Sequence, residues 1–207
     1  MSHKHASDII STEDLLSSII TNESETTNNK IRALIIVPGG GGKTTLVNCL
    51  QSTNINCADI DYYWDQEKEK EYINKLTFEW KNACLDIKNR EKRHQIEDEY
   101  VLLKSILSKE KWSNEYMLDI LFVQTFKQAS LLMDKTCFSL NLLPTIKLHH
   151  HNLNLRSSSI EHAPDDFDVC IRQWKENEQH KPYVLYDNFE EFQHIVSLFH
   201  QFVLSKR

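Results

Sequence analysis

Glycine is scarce in this chain, with four in 207 residues, where average usage near 7% would give about 14. All four stand side by side, Gly39 to Gly42. A chain so short of glycine concentrates its conformational freedom in one loop. Four prolines exclude a Pro/Gly-rich low-complexity chain, and the five cysteines form no CxxC pair. Their odd number and wide spacing exclude a disulfide framework and a zinc knuckle, and imply free thiols in a reducing compartment. The longest apolar run, Ala33 to Val37, is far below the roughly 20 residues that span a bilayer. The N-terminal stretch has no signal-peptide core. No membrane association and a cytoplasmic location are therefore expected. Positive charge is also lacking: 24 basic against 30 acidic residues leave a formal net charge of −6. That argues against a dedicated nucleic-acid coat while leaving a local basic groove open.

What is present suits a folded α/β domain. The hydrophobic fraction is 40% and the charged fraction 26%, ordinary for a globular protein. Residues 1–30 read as one amphipathic helix, Ser11 to Ile20, and a polar linker. Ile31 to Val37 is a compact, mainly apolar run rich in β-branched residues, the pattern of a strand buried on both faces. After the glycines, Leu46, Val47 and Leu50 recur at helical spacing. A second strand is expected over Ile55 to Asp61. A helical cap follows over 62–128, anchored by residues such as Trp64, Trp80 and Leu102. Further strands are expected over Ala129 to Asp134, Thr145 to His149 and Tyr183 to Asp187, and a closing helix over Glu190 to Val203. Alternating strands and helices predict a parallel sheet of five strands, with ligands beyond the carboxyl ends of the strands.

The segment Val37-Pro38-Gly39-Gly40-Gly41-Gly42-Lys43-Thr44-Thr45 joins the first strand to the first helix. Glycines allow backbone N–H groups to approach phosphate oxygens, and the helix that follows presents its positive dipole end. The segment resembles the Walker A loop of the P-loop NTPases and kinases, with Val37 where the pattern G-x-x-x-x-G-K-[ST] has its first glycine. The resemblance implies a three-layer α/β/α kinase-like fold. It also implies ATP or GTP held by Pro38 to Thr45, Lys43 on the β- and γ-phosphates, and Mg²⁺ on the Thr44 hydroxyl.

The second strand ends in Asp59-Ile60-Asp61, and residues i and i+2 of a strand share a face. This resembles the D-x-D of shikimate-kinase-like and gluconate-kinase-like enzymes. The likeness implies Asp59 on the metal side and Asp61 orienting or deprotonating an acceptor hydroxyl. Asp134, closing the run Ser130 to Met133, resembles a Walker B acid and competes for the metal-side role. Arg156 and Arg172 match lid arginines that clamp a transferring phosphoryl group, with 150–182 as the lid. Asp187 and Asn188 sit where nucleoside and nucleotide kinases approach the base, although a helix N-cap reads equally well there. His149-His150-His151 alternates faces if it lies on a strand, so a metal site is not expected. The basic run Lys88 to Arg93 reads as a solvated helix face, diluted by neighbouring acids. Three readings follow: a kinase acting on a small hydroxyl compound, nucleotide or polynucleotide end; an NTPase switch using Asp134; or a nucleotide-binding module without turnover. The sequence leaves the oligomeric state open.

Overall fold

The computed structural model describes residues 12–21, 31–50, 52–53, 55–61, 118–133, 138–157 and 165–206, with scattered residues between 74 and 106. The described elements run α1 (Thr12–Ser18), β1 (Ile20–Thr21), β2 (Ile31–Ile36), α2 (Lys43–Leu50), β3 (Cys57–Asp59) and β4 (Leu118–Val123). There follow α3 (Phe126–Leu132), β5 (Phe138–Pro144), α4 (Ile146–Ser157), α5 (Asp165–Gln179), β6 (Val184–Tyr186) and α6 (Phe189–Ser205).

Among the described residues the sheet is mixed and has six strands, where five were expected. Its order is β3-β4-β2-β5, with β5 then carrying two short neighbours on its far edge. Parallel β6 pairs with the C-terminal half of β5. Two-residue β1 pairs antiparallel with its N-terminal half, Ile20 opposite Ser139. β2 is central and parallel to both β4 and β5. Ala33, Leu34, Ile35 and Ile36 are wholly buried, as the unbroken apolar run requires. Ala33, Ile35 and Val37 enter one core with Leu46 and Leu50 of α2, Leu15 of α1, and Phe192, Ile195, Val196, Phe199 and Val203 of α6. Leu34 and Ile36 enter the other core, with Leu121 and Val123 of β4 and Ala129 and Leu132 of α3. The α6 set recurs at helical spacing, and full burial of each such side chain contributes about 1.5–3 kcal/mol. The N-terminal segment read as a helix and a linker thus supplies a buried core residue and an edge strand.

Two expected strands are helices. Phe126–Leu132 is α3, capped by Thr125, whose hydroxyl accepts the Gln128 N–H at 3.2 Å. The strand of that region is β4, inside the stretch expected to be wholly helical. Asp119 interrupts its apolar run and hides it. Likewise Ile146–Ser157 is α4, and the strand preceding it is Phe138–Pro144. Pro144 ends that strand; it does not announce one. The described residues between 74 and 106 are all helical, and Ile96, Val101 and Ser105 are buried. Asp134, with the three residues after it, lies outside the described residues.

Candidate functional site

The glycine loop sits at the carboxyl end of β2 and lines a cavity of about 600 Å³. Around the cavity stand Gly39 to Thr45, Asp61, Gln124, Arg156 and an apolar wall that includes Leu148, Leu155 and Phe189. Gly40 and Gly42 have φ of +76° and +89°, a region that disfavours any residue with a Cβ. Gly41 is needed for room: a Cβ there would lie 2.4 Å from Val37 Cγ1. The branched residue standing at the first glycine position of the pattern is accommodated by the bare backbone opposite.

Six successive carbonyls, from Val37 to Gly42, are fastened by donors of the protein itself. Lys43 Nζ donates to Val37 O at 3.1 Å and to Pro38 O at 3.3 Å. His149 Nε2 donates to Gly39 O at 2.7 Å, which fixes the ring in its Nε2–H tautomer. Asn152 Nδ2 donates to Gly40 O at 3.0 Å and the Tyr186 hydroxyl to Gly41 O at 2.5 Å. Leu46 N–H takes Gly42 O at 3.0 Å as the first helical bond of α2. In a planar trans peptide the N–H points opposite to its carbonyl. Tying back Gly39 O and Gly41 O therefore aims the Gly40 and Gly42 N–H groups the other way. The first-turn amides of α2 likewise have no intrahelical acceptor.

The electrostatics agree with this architecture. Burial, the largest influence, holds the His149 ring below its ordinary pKa; the bond to Gly39 opposes this, and His150, Lys43 and Arg156 add to it. His149 is thus a neutral donor under the loop. Tyr186 is wholly buried and its phenol is pushed far up by that burial, so it remains a donor. Asp59 is raised chiefly by burial, with Lys43 opposing and Asp61 adding to the rise. Its Oδ2 accepts the Thr44 hydroxyl at 3.0 Å and its Oδ1 accepts the Asp61 N–H at 3.2 Å. A carboxylate and a hydroxyl beside the glycine loop are hard oxygen donors of the kind Mg²⁺ takes, with its remaining positions left to water and phosphate. Thr44 and Asp59 therefore fit that ion. Among the described residues, no group of three or more His, Cys, Asp or Glu could hold a metal alone.

The expected residues fall out as follows. Gly39 to Thr45, Asp61 and Arg156 line the cavity together, with Pro38 buried behind them and Asp59 beside Thr44. Arg172 is not among the lining residues; its Nη1 lies 3.4 Å from Asp98. Asp187 accepts the Thr145 hydroxyl at 2.6 Å and borders a second hollow of about 540 Å³ with Lys147, His150 and His151. Asn188 caps α6, its Oδ1 accepting the Glu191 N–H at 2.8 Å. Asp134 lies outside the described residues. The histidine run lies on α4 and not on a strand, so His149 turns inward while its two neighbours are exposed.

Sequence reading missed His149, Asn152, Gln124, Gln173 and Tyr186. The spacing of three between His149 and Asn152 marks one helix face, a signal lost once that stretch was read as extended.

No protein-family profile matches the sequence, and no characterised protein is similar to it in sequence. Among solved structures, TT1252 from Thermus thermophilus is similar with a TM-score of 0.52 at 16% identity, over 85% of this chain and 97% of that one. That likeness is one of fold. An unliganded sugar kinase from Janibacter sp. HTCC2649 aligns over 84% of this chain and 95% of its own at 11% identity, with a TM-score of 0.45. At that score the likeness carries no argument.

Proposed function

We propose that this chain is a phosphotransferase of the P-loop kinase type, moving the γ-phosphate of ATP or GTP to a hydroxyl or phosphate of a small molecule, nucleotide or polynucleotide end. The observation that carries the reading is the tied-back loop. Six carbonyls held by protein donors leave backbone N–H groups to meet polyphosphate oxygens, and a buried lysine stands at the same place. The low exposure of Lys43, 5%, favours release of its charge onto a ligand phosphate.

Each residue then has a task its surroundings suit. Lys43 exchanges two carbonyl partners for β- and γ-oxygens and offsets charge there as transfer proceeds. The amides of Gly40, Gly42 and the first turn of α2 orient the phosphates. Thr44 and Asp59 would hold Mg²⁺, which neutralises charge on the phosphate oxygens when bound. Asp61 orients the acceptor hydroxyl and takes its proton, positioning being most of what this chemistry needs. Arg156, exposed at the cavity rim, is suited to the phosphoryl group being transferred.

Tracing γ-labelled ATP and GTP across a panel of hydroxyl and nucleotide acceptors tests the reading. Label moving to an acceptor is expected; its release only as free phosphate would instead favour a hydrolysing switch. Lys43→Ala should reduce turnover at least about 100-fold. Absence of any magnesium–triphosphate binding by calorimetry overturns the whole assignment.

A further inference from the structure

A chain of side-chain amides joins the phosphate loop to the acceptor-side carboxylate. Gly39 N–H donates to Gln173 Oε1 at 2.8 Å. Gln173 Nε2 donates to Gln124 Oε1 at 3.2 Å. Gln124 Nε2 donates to Asp61 Oδ2. The direction of every link is forced by its ends. A backbone N–H can only donate and an ionised carboxylate can only accept, so each glutamine must turn its oxygen towards Gly39 and its nitrogen towards Asp61. Two amides with four possible orientations are left with one.

The surroundings keep this chain in place. Gln173 is 4% exposed and lies on α5, one turn before the fully buried Asn177. Asn177 Nδ2 donates to Gln124 O at 2.9 Å and its Oδ1 accepts the Phe126 N–H at 3.0 Å. The Gln124 N–H in turn donates to Gln128 Oε1 at 2.7 Å. Both backbone groups of Gln124 are thereby held, and its side chain has little freedom except along the chain. At every link from Gly39 through Gln173 and Gln124 to Asp61 a donor meets an acceptor, and such a chain of buried polar groups fixes a single geometry.

We propose that Gln124 and Gln173 are positioning residues that set the Asp61 carboxylate and the Gly39 amide as one unit, so that acceptor and donor phosphate are registered to each other. This rests on the phosphotransferase reading. Gln124 stands at the end of β4, where an acidic residue would repel Asp61, and an amide instead donates to it. Gln173 comes from the segment after the fourth parallel strand. Its contribution to the site is a buried amide, distinct from any arginine reaching the phosphate. The network predicts that a break at any link is felt at both ends.

Amide hydrogen exchange at Gly39, resolved by NMR on the full chain without nucleotide, reads one end while the other is altered. Gln124→Met and Asp61→Leu are each expected to speed Gly39 exchange at least tenfold, although neither side chain touches Gly39. Gln173→Met should do the same directly, and Gln124→Met/Gln173→Met should add little beyond the single changes. Under the parent reading, Gln124→Met should also lower kcat for phosphoryl transfer at least tenfold with KM for ATP changed less than threefold. Unaltered Gly39 exchange in folded Gln124→Met and Asp61→Leu proteins overturns the coupling. If one variant does not fold, the other decides. Because exchange is read without nucleotide and magnesium–ATP binding is measured separately by calorimetry, failure of this inference is distinguishable from failure of the function itself.

Discussion

The two ends of the sheet's parallel strands both bury charge, and they do so in opposite ways. At the amino end, Asp119 of β4 is flanked by Arg32 of β2, with Nη1 at 3.3 Å, and by His200 of α6, with Nε2 at 3.4 Å. The Asn56 N–H donates to the same carboxylate at 3.4 Å. Nearby Cys57 has its thiol pushed up to about 11, first by burial and then by Asp119, which leaves it a poor nucleophile at neutral pH. The acid faces its own counter-charge in Arg32 and a backbone donor in Asn56. At the carboxyl end, Lys43 and Asp61 line a cavity with Asp59 beside them on Thr44, next to a loop whose Gly40 and Gly42 amides are turned away from the partners of the carbonyls. Burial of charge is therefore no mark of a site by itself. Charges aimed into a space that a ligand can fill are such a mark.

The sharpest way to break the comparison is to fill the loop. Gly41→Ala places a Cβ 2.4 Å from Val37 Cγ1 and 2.9 Å from the Tyr186 hydroxyl oxygen, and neither neighbour is a loose surface group. Magnesium–ATP affinity should fall at least about 100-fold, with a stability loss of about 1–3 kcal/mol. Calorimetric titration and urea unfolding check the two quantities; near-native affinity would remove the loop from the function. Next comes the amino end. Asp119→Asn removes the charge that Arg32 offsets, and should cost about 2–3 kcal/mol, below the range for fully buried pairs because solvent reaches the group. Nucleotide affinity should stay within about twofold. An Asp119→Asn protein that unfolds normally but binds nucleotide poorly would erase the distinction between the ends.

How much of this was legible in the sequence follows the same division. β2, the loop, α2 and β3 were readable because an apolar run rich in β-branched residues, a glycine cluster and the apolar spacing of α2 carry strong local signals. The carboxylates Asp59 and Asp61 came with them. β4 was not readable. Asp119 sits inside its apolar run, and tertiary partners such as Arg32, Asn56 and His200 make that placement tolerable. α3 was mistaken for a strand because Ala129 to Met133 is too short to show a period, although Thr125 and Gln128 carry a helix-start signature. β5 was hidden by Asn141, buried and donating to Asn177 O and His180 O at 2.8 Å. Polar residues whose partners lie tens of residues away in sequence leave no local pattern. His149, Gln124 and Gln173 belong to that class, and so the framework of the loop was invisible although the loop itself was plain.

A smaller effect concerns pH. His149 is held below its ordinary pKa of 6.5, so the unfolded chain takes up a proton before the folded one does. Its contribution to stability is present above pH 6.5 and is lost as pH falls below that value towards the folded pKa. The slope from this one group is at most about 1.4 kcal/mol per pH unit. His149→Gln keeps a donor able to reach Gly39 O and removes the titration. Its unfolding free energy should therefore change less between pH 7 and pH 5 than that of the native chain. Equal pH dependence in the two would show that the ring is not the group responsible.

The smallest predicted effect makes the comparison most pointed, because it applies one chemical change to both ends. Asp119→Asn destabilises; Asp59→Asn should not. Asp59 is raised above its ordinary pKa mainly by burial, so the folded state disfavours its charge, and that penalty is relieved as pH falls through the folded value. Asparagine retains an oxygen for the Thr44 hydroxyl or the Asp61 N–H and discards the desolvated charge. Metal-free stability at pH 7 should be equal or higher, by about 0.5 kcal/mol or more, while the magnesium dependence of ATP binding is lost. Urea unfolding without magnesium and calorimetry with and without it read both halves. An acid whose removal leaves the fold no weaker but costs the ion is kept for what it binds, whereas Asp119 is kept for what it neutralises. A large destabilisation by Asp59→Asn, with magnesium dependence intact, would make Asp59 a second structural acid and leave Thr44 without its partner on the metal side.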